Sequence, residues 1–267
     1  MASIAPFRGI RYNPEKIGDL SLVVAPPYDV ITPSAQDQYY AKHPWNVIRL
    51  ILGKELLGDD DQKNRYTRAC EFFHRWLNEG VLVQDPTPSL YLYEQRFLHP
   101  RTGESLRRLG FLALVRLEPW NARVVFPHER TLEKPKRDRL ALIRACSANF
   151  EPVFAFYPDP LETVQALLEE EAEKGPALDF LDEGIEHRLW LLQDEGRIRE
   201  IVEAFQGERL FIADGHHRYE TALAFRDELE KADPAPPEVK AKRPYQYVMM
   251  LLVSAHDPGL VILPTHR

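Results

Sequence analysis

RLFIADGHHRYETALAFRDEL, residues 209–229, changes secondary structure within six residues. Leu210, Phe211, Ile212 and Ala213 form a short apolar run of the kind buried in a sheet. Asp214 and Gly215 turn the chain, and His216, His217 and Arg218 open a helix. The first amides of a helix lack intrahelical partners and lie at the positive end of its dipole. Basic side chains added there make a phosphate-sized anion site. Gly215 allows a tight turn and close backbone approach. Asp214 has a plainer role open to it, as the helix cap. Adjacent histidines on a helix point about 100° apart and are poor joint ligands for one metal. No metal site is therefore expected, and phosphate contacts by His216, His217 and Arg218 are favoured, the arginine offering a planar fork. The competing possibility is a pair of core histidines near a cap.

Upstream of this stretch, residues 185–192 read as a strand and 195–205 as a helix. With the strand at 210–213 they form a βαβ succession that implies parallel pairing. A strand at 152–157 and an acidic helix at 160–174 precede them. Downstream, a stiff DPAPPE segment leads to a strand at 245–254 and a partner at 260–263. Toward the N-terminus a strand is expected at 4–10. VVAPPYDVITPSA, residues 23–35, is a loop stiffened by three prolines that presents Tyr28 and Asp29. Thr32 or Ser34 can cap a helix at 35–42. NVIRLIL, residues 46–52, reads as a strand containing Arg49. A helix spans 59–78, on the stripe Tyr66, Ala69, Phe73, Trp76 and Leu77. Residues 90–98 and 105–117 form a hairpin. Residues 124–142 leave a strand as a loop and become helical near Lys136.

The expected class is α/β (α+β), a mixed sheet flanked by helices. Residues 1–267 are taken as one α/β region with a sub-boundary near 120–150. The chain is 44% hydrophobic and 28% charged, which suits a packed core, and its net charge of -7 argues against a broad nucleic-acid surface. Cys70 and Cys146 are far apart and lack metal-ligand spacing, so a reducing cytoplasm and helix packing are expected of them. No apolar run reaches the roughly 20 residues that span a bilayer, so no membrane contact is expected.

Phosphoryl transfer needs a base and groups that take up charge. Asp29 and Glu129 are the carboxylate candidates for the base, each on a loop that follows an apolar run. Arg49, His128, Arg130 and Lys134 are candidate charge stabilisers. No GxxxxGK[ST], no GxGxxG after a strand and no GxSxG elbow is present.

IADGHHRYETA, residues 212–222, resembles the phosphate-binding box of the ParB/sulfiredoxin superfamily. APPYDVI (25–31), FPHERT (126–131) and PKRDRL (135–140), with DGHHRYETALAFRDE, resemble one bacterial and archaeal family of unknown function over essentially the whole chain. That family's proteins continue past a motif like ILPTHR, so the resemblance implies an N-terminal portion. The superfamily implies a ParB/sulfiredoxin-like core and nucleotide phosphate on Asp214, Gly215, His216, His217 and Arg218. Its members include an ATP-dependent sulfinate-repair enzyme, CTP-binding partition proteins and an ADP-dependent free-serine kinase. The box here lacks the cysteine of sulfinate repair, and no helix-turn-helix module is evident. The comparison with the serine kinase survives best.

The expectation is a cytoplasmic, nucleotide-dependent phosphotransferase acting on a small hydroxyl metabolite such as serine. ADP or ATP would be the donor and Mg²⁺ an assistant. The alternatives are a nucleotide-binding regulator without turnover and a phosphatase acting on a phosphorylated metabolite.

Overall fold

The computed structural model describes residues 1–129 and 131–261. The chain opens with β1 (Ile4–Ala5), β2 (Ile10–Tyr12), α1 (Pro14–Ile17), α2 (Pro33–Lys42), α3 (Ile48–Ile51) and α4 (Arg65–Asn78). It continues through β3 (Leu82–Gln84), β4 (Leu90–Leu98), β5 (Ser105–Arg116), β6 (Val125–Phe126), α5 (Glu133–Cys146) and β7 (Val153–Tyr157). Then come α6 (Thr163–Ala172), β8 (Leu178–Asp182), β9 (Ile185–Leu192), α7 (Glu195–Ala204), β10 (Leu210–Asp214), α8 (His216–Ala232), α9 (Pro237–Lys240) and β11 (Tyr247–Ser254).

The large sheet has the order β6-β10-β7-β11-β5-β4-β9-β8, with β1 paired to β5. β10 is parallel to β6, and β11 is parallel to β7. The other pairs in this sheet are antiparallel. The molecule is thus α/β with a mixed sheet flanked by helices. β2 and β3 form a separate two-stranded ribbon.

Strand side chains alternate between two faces. Leu109, Phe111, Ala113 and Val115 of β5 join Met250 and Leu252 of β11 on one face. There they meet Val164 and Leu168 of α6, Ile198 and Ile201 of α7, and Phe205 at the end of that helix. A second cluster gathers Leu50, Phe73 and Trp76 with Val23, Val81 and Leu82. Cys146, buried, and Cys70, half-buried, are free thiols that pack with Ala69 and Leu142 between α4 and α5. Burial pushes the Cys146 thiol up to about 12.

Several elements differ from what the sequence suggests. Within 46–52 the chain forms helix α3, Ile48–Ile51, not a strand. Asn46 is fully buried; its side chain donates to the carbonyls of Leu22 and Val24 and accepts from the amide of Ile48 at 3.0 Å. That anchor turns a short apolar run into a buried helix, an ambiguity that periodicity alone cannot resolve. The helix expected from residue 59 begins at Arg65, because Asn64 and Thr67 form a reciprocal capping box. Asp59 sits outside that helix and bonds Arg68 at 2.6 Å. The strand expected at 4–10 is two short strands. The βαβ succession does give β9 and β10 the same direction, but β4, β5, β11 and β7 lie between them. Parallel pairing falls to β6/β10 and β7/β11 instead. β8 adds an edge strand that the sequence pattern did not suggest. Of the closing strand expected at 260–263, residues 260 and 261 are not in a strand and the rest lies outside the described residues.

Candidate functional site

β6 and β10 are parallel neighbours, so the loops that follow them leave the sheet at the same edge. β7 runs antiparallel to β10, with Phe154 opposite Asp214, which brings residues 151 and 152 to that edge as well. Open α/β sheets bind ligands at the C-terminal ends of their parallel strands. The DGHHR turn follows β10 and residues 127–129 follow β6, so the two meet here.

Gly215 has φ +89°, and a Cβ there would lie 2.9 Å from Nε of Arg218. Glycine is therefore needed both for the left-handed backbone and for the arginine folded over the turn. No side chain caps the first turn of α8. Asp214 does not take the capping role; its carboxylate bonds Arg218 at 2.5 Å. Arg218 also donates to the carbonyl of Pro152, and its Nε is buried with no partner among the described residues.

Hydrogen bonding determines the histidine tautomers. The amide of His128 donates to Nε2 of His216 at 3.2 Å, so that nitrogen is bare and Nδ1 carries the proton. Nδ1 lies 3.2 Å from Oε1 of Glu129. His216 is buried, and that burial, with His128 beside it, lowers its pKa, while Glu129 pulls the other way. Nδ1 of His128 lies 2.7 Å from the carbonyl of Ile212, which can only accept, so Nδ1 is the protonated nitrogen. The side chain of His128 is exposed. The two rings meet edge to face at 4.4 Å. Nε2 of His217 accepts the amide of Leu132 at 3.0 Å, and Thr131 donates to Glu220. The rings of His216 and His217 thus fasten the loop after β6 onto α8.

The 25–31 loop arrives through Glu151, which accepts the amide of Tyr28 at 3.0 Å. Arg139 lies 3.3 Å from the same carboxylate, and its guanidinium stacks 3.8 Å over the Tyr28 ring. Burial raises the Glu151 carboxyl above the usual range, against the pull of Arg218 and Arg139. Asp29 is exposed in the turn Tyr28–Val30 and close enough to Glu151 to oppose its charge.

Asp29, Glu129, His128, Asp214, Gly215, His216, His217 and Arg218 thus collect at one end of the sheet. Arg49 has a structural task elsewhere. It donates to the carbonyls of Tyr40 and His43 and stacks 4.4 Å over Tyr40, tying α2 to α3. Lys134 is exposed in the first turn of α5. Arg130 lies outside the described residues. Glu151 and Arg139 were not singled out from sequence. The carboxylate of Glu151 precedes a strand whose partner is invisible in the sequence, and Arg139 stands in a run of mixed charge, 136–139, with the composition of a solvated helix face.

No group of three or more His, Cys, Asp and Glu arranged to hold a metal occurs among the described residues. Nor is any helix among them long and apolar enough to cross a membrane. A family model described as "Protein of unknown function (DUF1015)" matches residues 4–267. No curated protein and no solved structure matches the chain.

Proposed function

From a chain that belongs to the DUF1015 family, whose description names no activity, we propose a nucleotide-dependent phosphotransferase acting on a small hydroxyl metabolite, with serine as the first substrate to try. The observation that carries this is the uncapped start of α8, beside the parallel pair β6/β10, with Glu129 against His216 and with Glu151 near both Arg218 and Asp29. A glycine turn between a strand and a helix suits a nucleotide phosphate. It also fits the resemblance to a ParB/sulfiredoxin-like core.

In this proposal the amides of His216, His217 and Arg218 hold phosphate oxygens, while their side chains keep the turn and the neighbouring loops in place. Asp29 or Glu129 takes the proton of the acceptor hydroxyl. The acceptor oxygen bonds to phosphorus as the bridging P–O bond of ADP or ATP breaks, releasing the shortened nucleotide. Both carboxylates are exposed, but Glu129 is engaged by Nδ1 of His216 at 3.2 Å, so Asp29 is taken as the base. Mg²⁺ commonly binds through substrate phosphates and one or two carboxylates, which these residues can supply without a dedicated protein cage.

The test is to incubate the protein with ADP or ATP, Mg²⁺ and serine and follow phosphoserine by ³¹P NMR. The expected result is phosphoserine formed in step with nucleotide loss. Asp29→Asn should slow the reaction by about 10²–10⁴-fold, as for loss of a general base. No nucleotide binding by calorimetry would overturn the proposal. A second function, a nucleotide-binding regulator, is favoured by one observation: His216, His217 and Arg218 are all bonded within the protein, leaving few side chains free to take up transferred charge. Nucleotide binding without turnover of serine or other hydroxyl metabolites would select it.

A further inference from the structure

Away from the phosphate turn, a cavity of about 800 Å³ opens between the second face of the sheet and the helices that cover it. Leu112 and Leu114 of β5 and Met249 of β11 form one wall; Phe73 of α4 with Phe225 and Leu229 of α8 form the other. Small-molecule sites typically measure about 300–1,000 Å³ and combine apolar walls with a few polar groups that orient the ligand. The walls here are carbon-rich, and the charged residues that line the cavity are Arg8 and Arg11.

These arginines are held at one place. Nε of Arg8 donates to the carbonyl of Asp85 at 2.8 Å, and Nε of Arg11 donates to the Asp85 carboxylate at 2.9 Å. Tyr91 Oη also donates to that carboxylate and accepts the amide of Gly9. The terminal nitrogens of both guanidiniums have no partner among the described residues. The chain carries 41 acidic and 34 basic residues, yet both charged residues that line this cavity are cationic. Two guanidiniums against one carboxylate leave a single positive charge, which suits a monoanion better than a dianionic phosphate. A guanidinium edge also matches a carboxylate in geometry.

We propose that this cavity is a binding site for an unbranched aliphatic carboxylate of the fatty-acid class. The hydrocarbon lies against the sheet face and α8, and the carboxylate meets Arg8 and Arg11. Binding requires no nucleotide, so it stands or falls separately from phosphotransfer at the turn.

The experiment titrates the intact protein with octanoate, decanoate and dodecanoate below their micelle concentrations, by calorimetry and by displacement of a fluorescent fatty acid. Affinity should rise about fourfold per added methylene, the increment for burying one CH₂. 1-Dodecanol should bind at least tenfold more weakly than dodecanoate. Arg8→Gln, on an exposed side chain, should weaken dodecanoate and leave dodecanol unchanged. Leu229→Trp and, separately, Phe225→Trp should reduce binding in variants whose melting remains cooperative. The proposal is overturned if dodecanoate does not bind, if the alcohol binds equally well, or if both filled variants fold and bind as before. It is also overturned if light scattering finds a dimer that Leu229→Trp dissociates and no carboxylate binds, since the cavity would then be a contact between copies.

Discussion

His216 is held neutral by its surroundings: one nitrogen accepts a backbone amide, the other faces Glu129, and the ring is buried. Because burial depresses its pKa, the unfolded chain binds the proton more readily than the folded one. Its contribution to stability is therefore complete above the ordinary histidine value of about 6.5 and is lost as the pH falls through the lower folded value. Comparing thermal melts of the wild type and His216→Gln isolates this effect from other histidines. The wild type's advantage should be constant above about pH 7 and shrink below about pH 6. An advantage that stays level down to pH 5 would mean that the ring is not kept neutral. Glu151 shows the same dependence on surroundings: a carboxylate before a strand becomes the joint between Tyr28, Arg139 and Arg218 only because three segments meet there.

At the scale of elements, the ends of helices depend on side-chain caps more than on charge composition. Asp59, Asp60 and Asp61 look like an acidic helix start, yet Asp59 pairs with Arg68 and Asp60 accepts the amides of Gln62 and Lys63. α4 instead begins after Asn64, whose side chain accepts the amides of Tyr66 and Thr67 while Thr67 returns a bond to the Asn64 amide. Asn64→Ala should cost about 1 kcal/mol in chemical denaturation, the usual loss for such a cap. Asp61→Ala should change stability by less than about 0.5 kcal/mol. Equal losses in the two variants would restore the earlier start. α8 shows the reverse arrangement: its first turn has no capping side chain, and the carboxylate nearest to it is paired with Arg218.

The whole molecule depends on the central strands of the sheet lying close together. At Gly110, which faces Val253 of β11, an added Cβ would fall 2.5 Å from the carbonyl oxygen of Leu252. Backbone cannot yield there as a flexible side chain could, so Gly110→Ala must spread β5 from β11. Overpacking of this kind costs about 1–3 kcal/mol, and the loss should appear as a lower denaturant midpoint. Gly103 has φ +73° and an added Cβ there meets no atom within 4 Å, so Gly103→Ala carries backbone strain without a clash, whereas Gly110→Ala carries the clash without that strain. An unchanged midpoint for Gly110→Ala would show that the strands are not in close contact at this point.

Much was legible in the residue pattern alone. The strand, glycine turn and helix around DGHHR, the hairpin at 90–116, and the helices with strong apolar stripes follow from local rules of spacing, turning and capping. So does the mixed class of the sheet. Local rules act over a few residues, and the sequence presents them directly. What the pattern could not contain is which strands become neighbours. The separation of β9 from β10 by four strands, the pairing of β6 with β10, and the folding of 46–52 as a helix pinned by Asn46 all arise from contacts between distant segments. The same holds for the site. Its strand, glycine turn and helix start could be read from consecutive residues. The turning of His216 and His217 toward the loop after β6, and the arrival of Glu151, were decided by the tertiary structure, because buried polar groups must find partners wherever the fold puts them.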